Sequence, residues 1–188
     1  MPNYLAALTI VLMMGIVVAR VLMLKGKGVT AMKFGQTDKT DFLIPPFAFF
    51  YFYLVFAAAF GWPTVSTSTF FQSAAIAWAG VGLCLAGLTL LLASIVSFGR
   101  SFRVGIDTER PDRLVTSGVF SISRNPIYVA FAAILAGQFL IFPNWILLVY
   151  LAAGGWLLNR QAVREEEFMK RHYGQEFAEY CKRVRRYI

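Results

Sequence analysis

The chain predicts an all-α integral membrane protein with five transmembrane helices and a C-terminal amphipathic helix on the cytoplasmic side. Three observations carry this expectation. Hydrophobic residues make up 58% of the 188 residues and charged ones 15%, against about 45–50% and about 25% in an average soluble domain. The apolar residues gather into five stretches. Basic residues fall only in alternate connections between them. At this length we expect a single membrane domain over 1–188, with three spans in 1–97 and a loop, a helical hairpin and the last helix in 98–188.

The first stretch, Tyr4 to Leu24, matches the roughly 20 residues a spanning helix needs. It does not read as a signal peptide, because its charges follow the apolar run and no basic segment precedes it. A polar, glycine-bearing linker from Lys25 to Asp41 leads to the second stretch, Phe42 to Phe60. Its aromatic run, Phe47 to Phe56, is expected to face lipid or neighbouring helices, with a lipid-entry groove as the other reading. The uncharged loop Gly61 to Thr69 precedes Phe70 to Phe98, long enough to tilt. In it Gly80, Gly82, Ala86 and Gly87 allow close helix approach. The last two stretches are Pro126 to Phe142 and Trp145 to Leu158. One helix from Ile127 to Leu158 would extend about 48 Å, too long for a core of about 30 Å, so Pro143 and Asn144 are expected to turn a hairpin. Inside the first arm, the Gln138 amide must find a partner, either a ligand or another helix.

All 18 Lys and Arg lie between Arg20 and Lys39, between Arg100 and Arg124, or beyond Leu158. The positive-inside rule then places the N-terminus outside and the C-terminus in the cytoplasm. A net charge of +8 is explained by that topology and by anionic lipid headgroups, so no nucleic-acid partner is expected. Two cysteines, Cys84 and Cys181, make neither a disulfide framework nor a metal set, and no metal site is expected.

The polar chemistry lies in the last third. Asn125 is placed to cap the fourth span, with Pro126 at its first position, where the missing N–H does no harm. Free N–H groups at that helix start, beside the forked donors of Arg124, form an anion clamp or simply an ordinary span entry. Beyond the fifth span come Glu165, Glu166 and Glu167. Neighbours on a helix point about 100° apart, so one or two of them turn inward. Tyr173, Phe177, Tyr180, Cys181 and Val184 then recur at helical spacing, an amphipathic helix for the bilayer surface that is placed to close over the preceding residues. His172, the sole histidine, sits on this basic segment as one candidate base.

Two segments resemble a known family. LVTSGVFSISRNPIY resembles the LVxxGxYxxxRHPxY signature of the isoprenylcysteine carboxyl methyltransferases and their prokaryotic relatives, a group that includes phospholipid methyltransferases. REEEFMKRHYGQEFAEYCKRVRRY resembles that family's EEE...FGxEYxxYxxRVxR ending. The resemblance covers Phe98 to Tyr187. It implies transfer of a methyl group from S-adenosyl-L-methionine to a lipophilic acceptor, at the cytoplasmic face of a prokaryotic inner membrane. By position, Leu114, Val115, Gly118, Phe120, Arg124, Asn125, Pro126 and Tyr128 would form one wall of the cofactor site. Glu165 and Glu166 would form the other, with Arg124, Glu165 and Glu166 as catalytic candidates. Asn125 stands where the family has His, removing a titratable group, and Phe120 replaces Tyr. The expected partners are a lipophilic or lipidated substrate and membrane lipids. Residues 1–97, the expected substrate side, do not select among an isoprenylcysteine carboxylate, an amine-bearing phospholipid, a quinone-like lipid and a small thiol. The shortage of a base leans toward an anionic acceptor. Two rival readings stand beside it: an NADPH-dependent membrane reductase like the sterol reductases, and a non-enzymatic protein binding lipid headgroups.

Overall fold

A computed structural model describes residues 1–26, 44–63, 68–98 and 114–188. These form α1 (Pro2–Lys25), α2 (Ile44–Phe60), α3 (Ala74–Phe98), a 3₁₀ turn (Gly118–Ser121), α4 (Pro126–Ile141), α5 (Trp145–Tyr173) and α6 (Gln175–Arg183). The expected linker beyond Gly26, the middle of the Gly61 to Thr69 loop and the basic segment 99–113 lie outside the described residues.

All five apolar stretches are helical. Three helices, α1, α3 and α5, are long and apolar enough to cross a membrane, and α2 and α4 are shorter apolar helices. The 16 residues of α4 reach about 24 Å at about 1.5 Å each, less than a hydrocarbon core of about 30 Å. Two boundaries differ from expectation. Helix α3 begins at Ala74 rather than Phe70, because the Phe70 N–H donates to the Pro143 carbonyl at 2.8 Å and its ring meets Trp145 edge-on. Helix α5 does not stop at Leu158. Residues 159–171 contain no Gly or Pro and many strong helix formers, so the helix continues through the glutamates to Tyr173 and ends at Gly174, whose φ of 52° suits a residue without Cβ.

The Pro143 turn forms as expected, with the Asn144 side chain accepting from the Leu147 N–H at 2.9 Å. Helices α3 and α4 touch through their backbones. A Cβ on Gly137 would lie 2.6 Å from both the Cys84 sulfur and the Gly80 carbonyl oxygen, and one on Gly87 would lie 2.7 Å from Ile134. Gly82 faces open space and Ala86 is exposed, so only part of the small-residue pattern builds this seam. Gln138 is fully buried and donates to the Ala6 carbonyl on α1 at 2.9 Å, which makes it a tie between helices. In the aromatic run, Phe47 and Tyr51 pack on Tyr150 of α5 at 4.2 and 5.2 Å between ring centres, while Phe49 and Phe50 are exposed.

Candidate functional site

The segment entering α4 is extended and lies beside the chain that follows α6. Ser123 and Arg185 form a parallel β-bridge, with the Arg124 N–H donating to the Arg185 carbonyl at 2.9 Å. Pro126 opens α4 as expected, but the Asn125 side chain does not cap it. Its Nδ2 instead donates to Glu166 Oε1 at 2.9 Å and to the Arg186 carbonyl at 3.2 Å. A carboxylate is the stronger acceptor, and the bond to it is charge-assisted.

Glu166 is the centre of this junction. It is 7% exposed. Arg124 grips it with Nε to Oε1 at 3.1 Å and Nη2 to Oε2 at 3.3 Å, and Arg186 adds Nε to Oε2 at 3.0 Å. The remaining Arg124 nitrogen, Nη1, donates to the carbonyls of Cys181 and Val184 at 3.2 and 2.8 Å. Every guanidinium nitrogen of Arg124 is therefore engaged with the chain itself, and its charge is countered by Glu166. That arrangement is a brace between α4, α5 and the tail, in place of the open anion clamp. Burial alone would push the Glu166 carboxyl up, but hydrogen bonds from Arg186, Arg124 and Asn125 and the Arg124 charge outweigh it and hold it below its ordinary value.

Its neighbour has the opposite environment. Glu165 Oε1 accepts from the Tyr128 hydroxyl at 2.6 Å and from Gln161 Nε2 at 3.1 Å. Among the described residues no hydrogen bond reaches its Oε2. Burial pushes this carboxyl above the usual range, only partly offset by the two hydrogen bonds. Glu167 is exposed. The two inward carboxylates thus lie on the polar extension of α5, one held by two arginines and one whose Oε2 meets no donor among the described residues.

The other residues of the first motif divide by role. Leu114 packs with Met169, Phe177, Tyr180 and Val184 in a small apolar cluster. The stripe of α6 therefore faces protein. Phe120 is buried, meets Phe98 edge-on at 4.8 Å, and its carbonyl accepts from the Tyr180 hydroxyl at 2.6 Å. Gly118 has φ of 64°, and a Cβ there would collide with the Ser97 hydroxyl, which also accepts from the Val119 N–H at 3.4 Å. Val115 is partly buried. So the structure brings Arg124, Asn125 and Tyr128 to the glutamates, while Leu114, Gly118 and Phe120 join the turn to α3 and α6. His172 is exposed and stacks on Phe168, with 5.9 Å between ring centres. Three participants escaped the sequence reading: Gln161, Arg186 and Ser123. Gln161 stands four residues before Glu165 on one helix, a spacing that marks it as a neighbour. Arg186 carries no local signal, since its partners are 20 and 61 residues away.

The described residues form an all-helical integral membrane protein in which the α4 entry, the acidic extension of α5 and the tail meet at Glu165 and Glu166. Residues 75–176, more than half of the chain, match the model of the phospholipid methyltransferase family, and the chain belongs to that family. It is 31% identical over 108 residues to protein-S-isoprenylcysteine O-methyltransferase B of Arabidopsis thaliana, covering 56% of this chain and 55% of the relative. The corresponding figures are 30% over 127 residues for the Xenopus laevis protein-S-isoprenylcysteine O-methyltransferase, with 64% and 44% covered, and 31% over 126 for that of Rattus norvegicus, with 65% and 43%. The chain spans about half the length of the curated relatives it matches. No solved structure matches it.

Proposed function

We propose that this protein is an integral-membrane methyltransferase that uses S-adenosyl-L-methionine and acts on a lipophilic acceptor, an isoprenylcysteine-like carboxylate in the first instance. The observation that carries the reading is the meeting of Arg124 with Glu166 at 3.1 Å, which sets the Glu165 carboxyl against Tyr128 at the entry of α4. The acceptor class rests on the names of the relatives and on the absence of a titratable side chain at Asn125, since a carboxylate needs no base before it attacks. Helices α1 and α2 precede the matched residues 75–176 and are assigned to the acceptor. The five apolar helices are read as five membrane passages, with the N-terminus outside and the glutamates at the cytoplasmic leaflet.

The residues present suit the cofactor. Glu165 Oε2 is a carboxyl oxygen able to accept from an ammonium or a ribose hydroxyl, and Tyr128 and Gln161 fix its orientation. On the facing side Leu114, Val115 and Gly118 keep accessible surface, while Phe120, Asn125 and Pro126 are buried and support that wall from within the protein. Bound there, the cofactor supplies a methyl group on a cationic sulfur. The chain's part is to position and to exclude water, which can account for most of the rate of such a transfer. Glu165 holds the donor, Glu166 with Arg124 and Arg186 keeps α4, α5 and the tail in register, and α6 covers the junction through Tyr180.

Calorimetry on the detergent-purified protein tests this directly. S-adenosylmethionine and its demethylated product should bind, NADPH should not, and Glu165→Gln should weaken the first two by at least tenfold. Heat from NADPH alone would support a reductase. No binding of either sulfur compound would leave a headgroup-binding protein and end the methyltransferase reading.

A further inference from the structure

The carboxyl assigned above to the methyl donor is enclosed. Burial is the strongest influence on Glu165, and its two hydrogen-bond donors, Tyr128 and Gln161, stand on α4 and α5. Tyr187 is a further neighbour, and it does not stand on a helix. It follows α6 on the extended segment that begins at Val184 and lies within electrostatic reach of Tyr128. Its hydroxyl donates to Asn159 Oδ1 on α5 at 2.8 Å. Asn159 is the first residue past the apolar run that ends at Leu158, so this bond spans the side of Glu165 nearest that run.

The segment is held unevenly. Up to Arg186 it is fixed to the α4 entry and to α5: the Arg124 N–H donates to the Arg185 carbonyl at 2.9 Å, the Ser123 hydroxyl and the Asn125 amide donate to the Arg186 carbonyl at 3.3 and 3.2 Å, and Arg186 Nε donates to Glu166 at 3.0 Å. Beyond Arg186, among the described residues, one exposed hydrogen bond from Tyr187 ties the segment to α5. Asn159 and Glu166 stand two turns apart on one face of α5, about 10 Å along its axis, and Ala162 between them is 0% exposed. Arg186 and Tyr187 thus reach the two ends of that face, one through a network and the other through a single bond. A neutral hydrogen bond open to solvent shifts an equilibrium by about 3–10-fold, which suits a contact that is mostly closed and opens readily.

We propose that Tyr187 is a latch on the cofactor site: bonded to Asn159 it closes over Tyr128 and Glu165, and the methyl donor enters, and its demethylated product leaves, when that bond opens. The inference rests on the assignment of Glu165 to S-adenosyl-L-methionine. Tyr187 takes no part in the transfer itself. A latch is recognised by what it does to rates. Its bond is the same before and after binding and cancels from the affinity, so breaking it speeds entry and exit alike, whereas losing a contact to the bound molecule speeds exit alone.

The test measures uptake and release of radiolabelled S-adenosylmethionine by the detergent-purified full chain, with release followed after a chase of unlabelled compound. Tyr187→Phe and Asn159→Ala each remove the same bond, and each should speed uptake and release by about 3–10-fold while Kd stays within about twofold of wild type. Because the two changes break one contact, the double variant should be no faster than either single one. Cysteines at 159 and 187, in a background lacking Cys84 and Cys181 and joined by a short bis-maleimide, should slow both steps by about tenfold or more relative to the unjoined protein, the reverse of what a damaged fold would give. Release at the wild-type rate in both single variants, a raised Kd with unchanged uptake, or exchange unaffected by the cross-link would overturn the latch while leaving the cofactor assignment intact. Failure of the wild type to bind the sulfur compound would end that assignment and the latch with it.

Discussion

At the scale of single residues, Glu165 and Glu166 show how position alone separates two identical side chains. Glu166 is a buried charge met by two arginines, and removing one partner from such a group leaves the others uncompensated. Glu166→Ala should therefore destabilise the protein by about 3–5 kcal/mol in thermal or denaturant unfolding in detergent. Glu165→Gln should leave stability near wild type or raise it, because burial already disfavours the charged form there. The pH signatures have opposite signs. Glu166 is held below its ordinary value, so its contribution is present above the unfolded carboxylate value of about 4.3 and is lost as pH falls through the lower folded value. Glu165 is held above it, so its contribution is present below about 4.3 and is lost as pH rises through its folded value. Hydrogen exchange of the α6 amides followed from pH 7 to pH 3 should show protection falling at the acid end in wild type, and little further loss in Glu166→Ala.

The sequence made Arg124, Pro126 and the inward turn of one or two of three glutamates legible, because each follows from local rules about helix starts and the 100° step. It could not show that Asn125 would abandon its cap or that Arg124 would be fully engaged. Both depend on carbonyls and on Arg186, which the fold delivers from about 60 residues away.

At the scale of helices, the seam between α3 and α4 governs where side chains can be added. Gly137→Ala would drive a Cβ into the Cys84 sulfur and the Gly80 carbonyl, and backbone cannot yield as a flexible side chain can. We expect a loss of about 1–3 kcal/mol, the range for overpacking. Gly82→Ala meets open space on the same helix as Gly80 and should be neutral or stabilising by up to about 1 kcal/mol. A matched pair of melting curves checks both. The five apolar segments and the Pro143 break were legible in the sequence because length and hydrophobicity are local. That α5 runs unbroken from Trp145 through the glutamates to Tyr173 was not, since the apolar run ends at Leu158 and nothing local joins it to the helical glutamates beyond.

At the scale of the whole molecule, the basic residues flank the Arg124–Glu166 end of the described helices, and among the described residues the opposite end carries no charged side chain. Single cysteines introduced at Asn3 and at Glu179, in a background lacking Cys84 and Cys181, should react with a membrane-impermeant maleimide from opposite sides of sealed membranes. Labelling of both from one side would contradict the proposed orientation. Arg186→Ala should free the tail from Glu166 and raise protease sensitivity after Arg183 without unfolding the apolar helices, because its bonds lie outside their packing.

The hairpin of α4 and α5 turns on Pro143 and Asn144 without a single ionised group. On the proposed topology that corner is carried through the hydrocarbon during biogenesis, where a charged side chain at the centre of a span adds roughly 2.5–3.5 kcal/mol to the cost of insertion. Short, neutral and already satisfied by its own cap, the corner lets both arms enter as one unit. On that same topology the glutamates stay behind with the translation machinery, on the side where the arms began.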